Sequence, residues 1–207
     1  MNSILSEKLV PQNVKGKATD LHESVTCNNK DEAATTFKRA SKRLLNPNIW
    51  HELSGFGSGV FILVDITGKP LHRLAASGDY LRIDMPGPGT KAGDGFDWVH
   101  VESIEEDINP ESGEESIGVL LRPCSNPSKS NEEAAHFFKD SATSTFIINR
   151  KNTIVTASYY GRNEVLNTGT ENVLDKVRNV IVGSAALIGV SEMQWKSLIK
   201  SFLQEEL

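Results

Sequence analysis

The stretch DMPGPGTKAGDGFDWVHVE, Asp84 to Glu102, concentrates residue types that can do chemistry. Pro86 to Gly95 holds four glycines, two prolines and a lysine, a composition that in other chains cradles phosphates with backbone N–H groups. A phosphate loop of the GxxxxGK[ST] kind places its lysine and hydroxyl where a helix starts; here Lys91 follows Thr90 and precedes Ala92. A dinucleotide loop needs GxGxxG between a strand and a helix. Gly87 and Gly89 fit, but Pro88 lies between them, position 92 is alanine, and a strand-like run follows. With no helix N-terminus to hold a phosphate, the loop reads as a hairpin connection shaped by glycine and proline. Ten residues is long for such a connection, and long loops often form binding rims. The polar and aromatic residues around it, Arg82, Asp94, Asp97, Trp98 and His100, are therefore candidate ligand-binding residues, with Arg162 as a further cation able to read an anionic group through its planar fork.

Other chemistries lack their residue sets. His51-Glu52 starts like HExxH, but position 55 is glycine. His22, His72, His100 and His136 are singletons without metal-ligand spacing, so no metal or cofactor is indicated. Ser58 in GFGSG lacks the flanking glycines of a nucleophile elbow, having Phe56 and Val60 instead. Cys27 and Cys124 are isolated, with no basic neighbour to favour a thiolate and no disulfide framework. The carboxylates Glu105, Glu106, Asp107, Glu114 and Glu115 fall in what reads as a solvated acidic loop from Glu105 to Glu115. In GRNEV, Gly161 to Val165, Arg162 serves either a ligand or a loop fastening. Tyr159 and Tyr160, adjacent on a strand, must point to opposite faces.

The elements that would position these groups follow from periodicity. Ala33, Phe37, Ala40 and Leu44 share one face of a helix that Asn46-Pro47 stops, and Asn48 is placed to cap a further turn, IWHEL. The basic residues Lys38, Arg39, Lys42 and Arg43 on that helix read as a solvated face. GVFILVDI, DYLRIDM, FDWVHVESI, IGVLLRP, TSTFIINR and TIVTASYY read as strands, the last two joined by a two-residue turn. NEEAAHFFKD, 131–140, reads as a short helix capped by Asn131. Val173 to Leu187 marks a helix, and Ser191 with Gln194 opens another that carries Trp195, Leu198, Ile199 and Phe202 on one face.

Strands in a block, rather than alternating with long helices, imply an α+β fold: a curved antiparallel sheet or small barrel of five to seven strands, packed by an N-terminal helix and two C-terminal helices. The outline resembles helix-grip folds with ligand cavities, and the rhythm of two strands resembles small SH3-like barrels. Residues 1–29, polar and weakly periodic, read as a mobile tail with one docked piece near Ile4 to Val10; 30–207 read as one domain. NIWHEL, GDYLRIDMPGPGTKAGDGFDWVHVE, AHFFKD, GRNEVLN and QWKSLIK together resemble a group of uncharacterised bacterial proteins over roughly residues 30–205. That resemblance implies no activity, cofactor or site.

A chain of 207 residues, 38% hydrophobic and 24% charged, is composed like a folded globular protein. Its net charge of −5 and lack of a basic stripe argue against nucleic acid as a partner. No apolar stretch approaches the ~20 residues that span a bilayer, and the start of the chain is unlike a signal peptide, so a reduced cytoplasmic setting is expected. The function expected is a non-catalytic small-molecule-binding domain with a pocket near residues 86–95. The alternatives are an interaction or homo-oligomeric assembly module, and an enzyme of unfamiliar type.

Overall fold

The computed structural model describes residues 4–54, 59–84, 94–109, 113–129, 138–165 and 192–205. Among them seven strands form one antiparallel sheet: β1 Lys17–Thr26, β2 Val60–Val64, β3 Tyr80–Asp84, β4 Asp97–Asn109, β5 Glu114–Pro123, β6 Thr143–Lys151 and β7 Ile154–Glu164. Their order is β1-β7-β6-β5-β4-β3-β2, which leaves β1 and β2 as the two edges. From β2 to β7 the sheet is a meander of neighbours, whereas β1 crosses to pair with β7. Helices α1 (Ile4–Leu9), α2 (Lys30–Leu44), α3 (Trp50–Ser54) and α4 (residues 192–203) complete the described fold, with a 3-10 turn at Pro47–Ile49. The sheet is curved. Register shifts between Val101 and Ser103 in β4, and between Lys17 and Thr19 in β1, add the local twist and bend that unpaired extra residues impose on a strand.

One face of the sheet builds the main core. Phe61, Leu63, Leu81, Ile83, Val99 and Val101 point inward from β2, β3 and β4, and meet Ala33, Ala40 and Leu44 of α2 and Leu198, Ile199 and Phe202 of α4. α2 starts at an Asn29 cap whose Oδ1 accepts from Glu32 N at 2.9 Å, and it ends where Pro47 forbids continuation. The other face carries two smaller clusters. One is Leu5 and Leu9 of α1 on Leu120, Ile147 and Tyr160; the other is Val64 and Trp98 with Ile62, Tyr80, Phe96 and Cys124 around them. Covering both faces explains the unbroken apolar run Phe146-Ile147-Ile148: Phe146 and Ile148 face the main core, and Ile147 lies beneath α1.

Several expectations change in the structure. Residues 17–26 are no tail; they form a ten-residue edge strand paired with β7 from Lys17–Glu164 to Thr26–Ile154. Their alternation is weak because an edge strand gains its order from the ladder, and here offers only Leu21 and Val25 as large inward groups. The docked piece is α1, whose Leu5 and Leu9 each contribute roughly 2 kcal/mol by burial. The acidic run is no loop either. β4 continues to Asn109, so Glu105, Glu106 and Asp107 pair with Gly118, Ile117 and Ser116. Lys8–Glu105, Arg150–Glu115 and Lys151–Glu114 ion pairs offset the charge along this hairpin. Arg39 and Arg43 are not a solvated face. Arg39 Nη2 donates to Leu203 O, and Arg43 Nη1 to Ser201 O and Gln204 O, so both close the carboxyl end of α4, where cations are favoured. Burial, and secondarily Arg39, lower the Arg43 pKa from its ordinary value. The Asn48 amide, expected as a cap, instead bridges Leu71 O and Leu63 N. The tight β6–β7 turn is Asn152-Thr153, with Asn152 at φ 56°, a left-handed position that asparagine tolerates. Residues 131–137 of the helix expected at 131–140, the helix expected from Val173 to Leu187, and most of the Pro86–Gly95 loop lie outside the described residues; residues 138–140 are described and are not helical.

Gly118 shows how α1 reaches the sheet. A Cβ there would sit 2.5 Å from Leu9 Cδ2 and 3.3 Å from the Phe146 carbonyl oxygen. Gly118→Val is expected to lift α1 and to cost about 1–3 kcal/mol through overpacking. Amide exchange across residues 4–9 should accelerate while the rest of the sheet stays protected; unchanged exchange there would refute the close approach.

Candidate functional site

A recess opens where the inner face of the sheet meets the start of α4. Its apolar wall is Phe61, Ile83, Val99, Leu121 and Pro123, with Phe138, Ala142 and the indole of Trp195 completing it. Polar character enters at one corner, through Thr143, Ser144 and Glu164. The enclosed volume is about 30 Å³, room for about two waters by the ~10–15 Å³ that one needs. Organic ligands occupy pockets of roughly 300–1,000 Å³. The mouth is occupied by Trp195, half-buried and stacked on Tyr159 at 5.3 Å and 18°, with Phe146 at 5.4 Å and Phe61 at 6.1 Å.

The polar corner is built by β6, β7 and β1. Ser144 and Gly161 face each other across the β6–β7 ladder, so Ser144 Oγ lies 3.2 Å from Tyr159 Oη. Tyr159 is fully buried and donates to Glu164 Oε1 at 3.3 Å. Glu164 Oε2 accepts from Thr19 Oγ1 at 2.8 Å. Burial, then the nearby Glu164 charge, hold the Tyr159 phenol far above its ordinary pKa, so it stays a neutral donor. Glu164 returns to the recess because β7 turns at its end. Asn163 adopts φ 54°, and four hydrogen bonds with Gln12, Asn13, Val14 and Lys15 hold it there. The carboxylate then lies over Gly161, where a Cβ would overlap Glu164 Oε1.

The six expected site residues are not brought together around this recess. Arg82, Trp98 and His100 sit on the opposite face of the sheet, one strand position away from the inward Leu81, Ile83, Val99 and Val101. Arg82 lies over the Phe96 ring at 4.7 Å and His100 against Tyr80 at 4.9 Å, while Trp98 is 3% exposed beside Val64. Asp94 forms an exposed ion pair with Lys129 at 2.5 Å. Arg162 is four strands from Arg82 in the sheet order. It pairs with Asp20 at 2.6 Å, donates to Thr19 O, and packs on Tyr160, a fastening of β7 to β1. Asp97 alone shares the inward side, opposite Ile83 in the register. Sequence reasoning missed Ser144, Glu164 and Thr19. The available signal was the two-residue hairpin, whose register sets Ser144 opposite Gly161. Among the described residues no group of three or more His, Cys, Asp or Glu is placed to hold a metal ion, and no helix is long and apolar enough to cross a membrane.

Cys124 is half-buried on the outer face, and burial pushes its thiol up to about 12 from 9.0. Three units on the pKa scale cut the thiolate fraction at pH 8 by roughly a thousandfold. Iodoacetamide should therefore label Cys124 in the folded protein about that much more slowly than in urea, read by peptide mass. Equal rates would refute the burial.

No family model matches the chain, and no curated protein matches it. Similar solved structures include a hypothetical protein from Helicobacter pylori, with 11% identity over 96% of this chain and 95% of that one and a TM-score of 0.49. A conserved protein from Geobacillus kaustophilus has 12% identity over 90% and 95%, with a TM-score of 0.40. Norcoclaurine synthase from Thalictrum flavum has 8% identity over 100% and 95%, with a TM-score of 0.34. At scores below 0.5 these likenesses carry no argument, and the architecture rests on the strand order and packing of this chain.

Proposed function

We propose that this protein is a small-molecule-binding domain whose ligand enters the recess between the inner face of the sheet and α4. The observation that carries the reading is the combination of an apolar wall with one polar corner, closed by a single half-buried indole, Trp195. Binding sites for small organic molecules pair a mostly apolar lining with a few placed polar groups, and Ser144, Tyr159 and Glu164 are such groups. The ligand's apolar body takes the space of the Trp195 side chain, which leaves its stack on Tyr159 without disturbing Leu198, Ile199 and Phe202 deeper on α4. The wall of this recess includes Ile83, three residues before the 86–95 segment in sequence, on the inner side of the sheet.

Native mass spectrometry of protein purified from its own cells tests this, with the denatured mass alongside. A native excess that vanishes on denaturation is expected, together with a change in Trp195 fluorescence when the stripped protein takes up the apolar dye ANS. A bare chain mass with no dye uptake overturns the reading.

A further inference from the structure

We propose that the ligand of this recess carries a positive charge, as an ammonium group on an apolar body. The inference rests on reading the recess as a ligand site, and deepens that reading by naming the class of ligand.

The wall is hydrocarbon and aromatic, and among its described residues Glu164 alone is ionisable. The Glu164 carboxylate has two hydroxyl donors, Tyr159 and Thr19, and no ion pair with a described lysine, arginine or histidine. The nearest candidate by register is Lys17, directly opposite Glu164 on β1, but its ammonium is paired with Glu192 at the start of α4. The corner thus holds two carboxylates, Glu164 and Glu192, against one ammonium. Tyr159 cannot repair the imbalance, since a phenol offers only a neutral dipole or a further negative charge.

Glu164 is half-buried, and where its carboxylate borders the recess wall a charge gains from a partner of opposite sign more than it would in open water. The protein holds Glu164 there deliberately, through the left-handed Asn163 and its four hydrogen bonds. Gly161 leaves the space in which the carboxylate lies. A cationic ligand supplies the missing charge. The face of the Tyr159 ring, freed when Trp195 leaves its stack, favours the same sign, because the faces of aromatic rings attract cations. A ligand with a carboxylate head, such as a fatty acid, would meet two like charges.

Three probes with one apolar body decide the point: benzylamine, benzyl alcohol and benzoate, titrated into the full chain at pH 7 and followed by ligand-observed NMR. Benzylamine is expected to bind tightest, by on the order of tenfold over the alcohol, with benzoate weakest. In Glu164→Gln the preference for the amine over the alcohol should disappear, the two then binding alike. Gly161→Ala, which keeps the carboxylate but displaces it with a methyl group, should do the same and stands in if Glu164→Gln does not fold. Equal binding of amine and alcohol, a preference for benzoate, or an amine preference that survives both variants would overturn the charge assignment and leave the recess intact. Failure of all three probes to bind would overturn the recess reading and this one with it.

Discussion

Trp195→Ala is expected to convert the recess into a cavity that binds benzene. The indole fills the mouth between Tyr159, Phe146 and Phe61, and the wall behind it is apolar. Apolar cavities on the order of 150 Å³ stay dry and take up benzene, and loss of an indole opens a space of about that size. The substitution should cost about 3 kcal/mol, at the low end of the ~3–5 kcal/mol for a buried tryptophan, because Trp195 is only half-buried. At benzene concentrations near ten times Kd the variant should recover about 1.4 kcal/mol by mass action, a rise in Tm of roughly 3–6 °C. The parent protein, in which the indole must first be displaced, should show a smaller rise. A variant that loses stability but gains no benzene response would mean that the wall collapses into the space, and that the recess is ordinary core.

Trp50→Ala is expected to have the largest effect on stability, and to leave ligand selectivity without a folded frame. Trp50 is 1% exposed and joins four elements. Its ring meets Phe61 of β2 at 5.3 Å, Phe146 of β6 at 5.2 Å and Phe202 of α4 at 6.0 Å, and its Nε1 donates to the Arg43 carbonyl at the end of α2 at 3.0 Å. No neighbour can fill the space, since the surrounding rings are held by both sheet and helices. The cost should reach about 4–5 kcal/mol, a large part of the ~5–15 kcal/mol total of a typical domain, and lower Tm by roughly 8–20 °C. Trp50→Phe keeps most of the ring contact but loses the Nε1 bond to the Arg43 carbonyl, which still accepts from Asn46 N at 3.2 Å, and should cost about 1 kcal/mol. Urea denaturation separates the two; a loss below about 2 kcal/mol for the alanine variant would show that the aromatic cluster is not the centre of the core.

Strands buried on at least one face were legible along the chain, because a side-chain period of two can be read wherever a face excludes water. Leu81 and Ile83 against Arg82, and Tyr159 against Tyr160, take the faces that alternation requires. The proline stop after α2 and the α4 stripe through Leu198, Ile199 and Phe202 were legible for the same reason, at the helical period. What edge position and register control was settled by contacts between elements. β1 was illegible because its order comes from backbone pairing with β7 rather than from its own apolar content. The acidic β4–β5 hairpin was illegible because its charges are offset by groups distant in sequence, Lys8 of α1 on Glu105 of β4 and Arg150 and Lys151 of β6 on Glu115 and Glu114 of β5. The expected site gathered residues that are close in sequence around one loop, yet alternation sends Arg82, Trp98 and His100 to the outer face. The recess instead collects Ser144, Tyr159, Glu164 and Thr19 from three strands. Cross-strand register and one left-handed residue at Asn163 bring them together, and neither leaves a pattern along the chain, because both arise from contacts between residues distant in sequence.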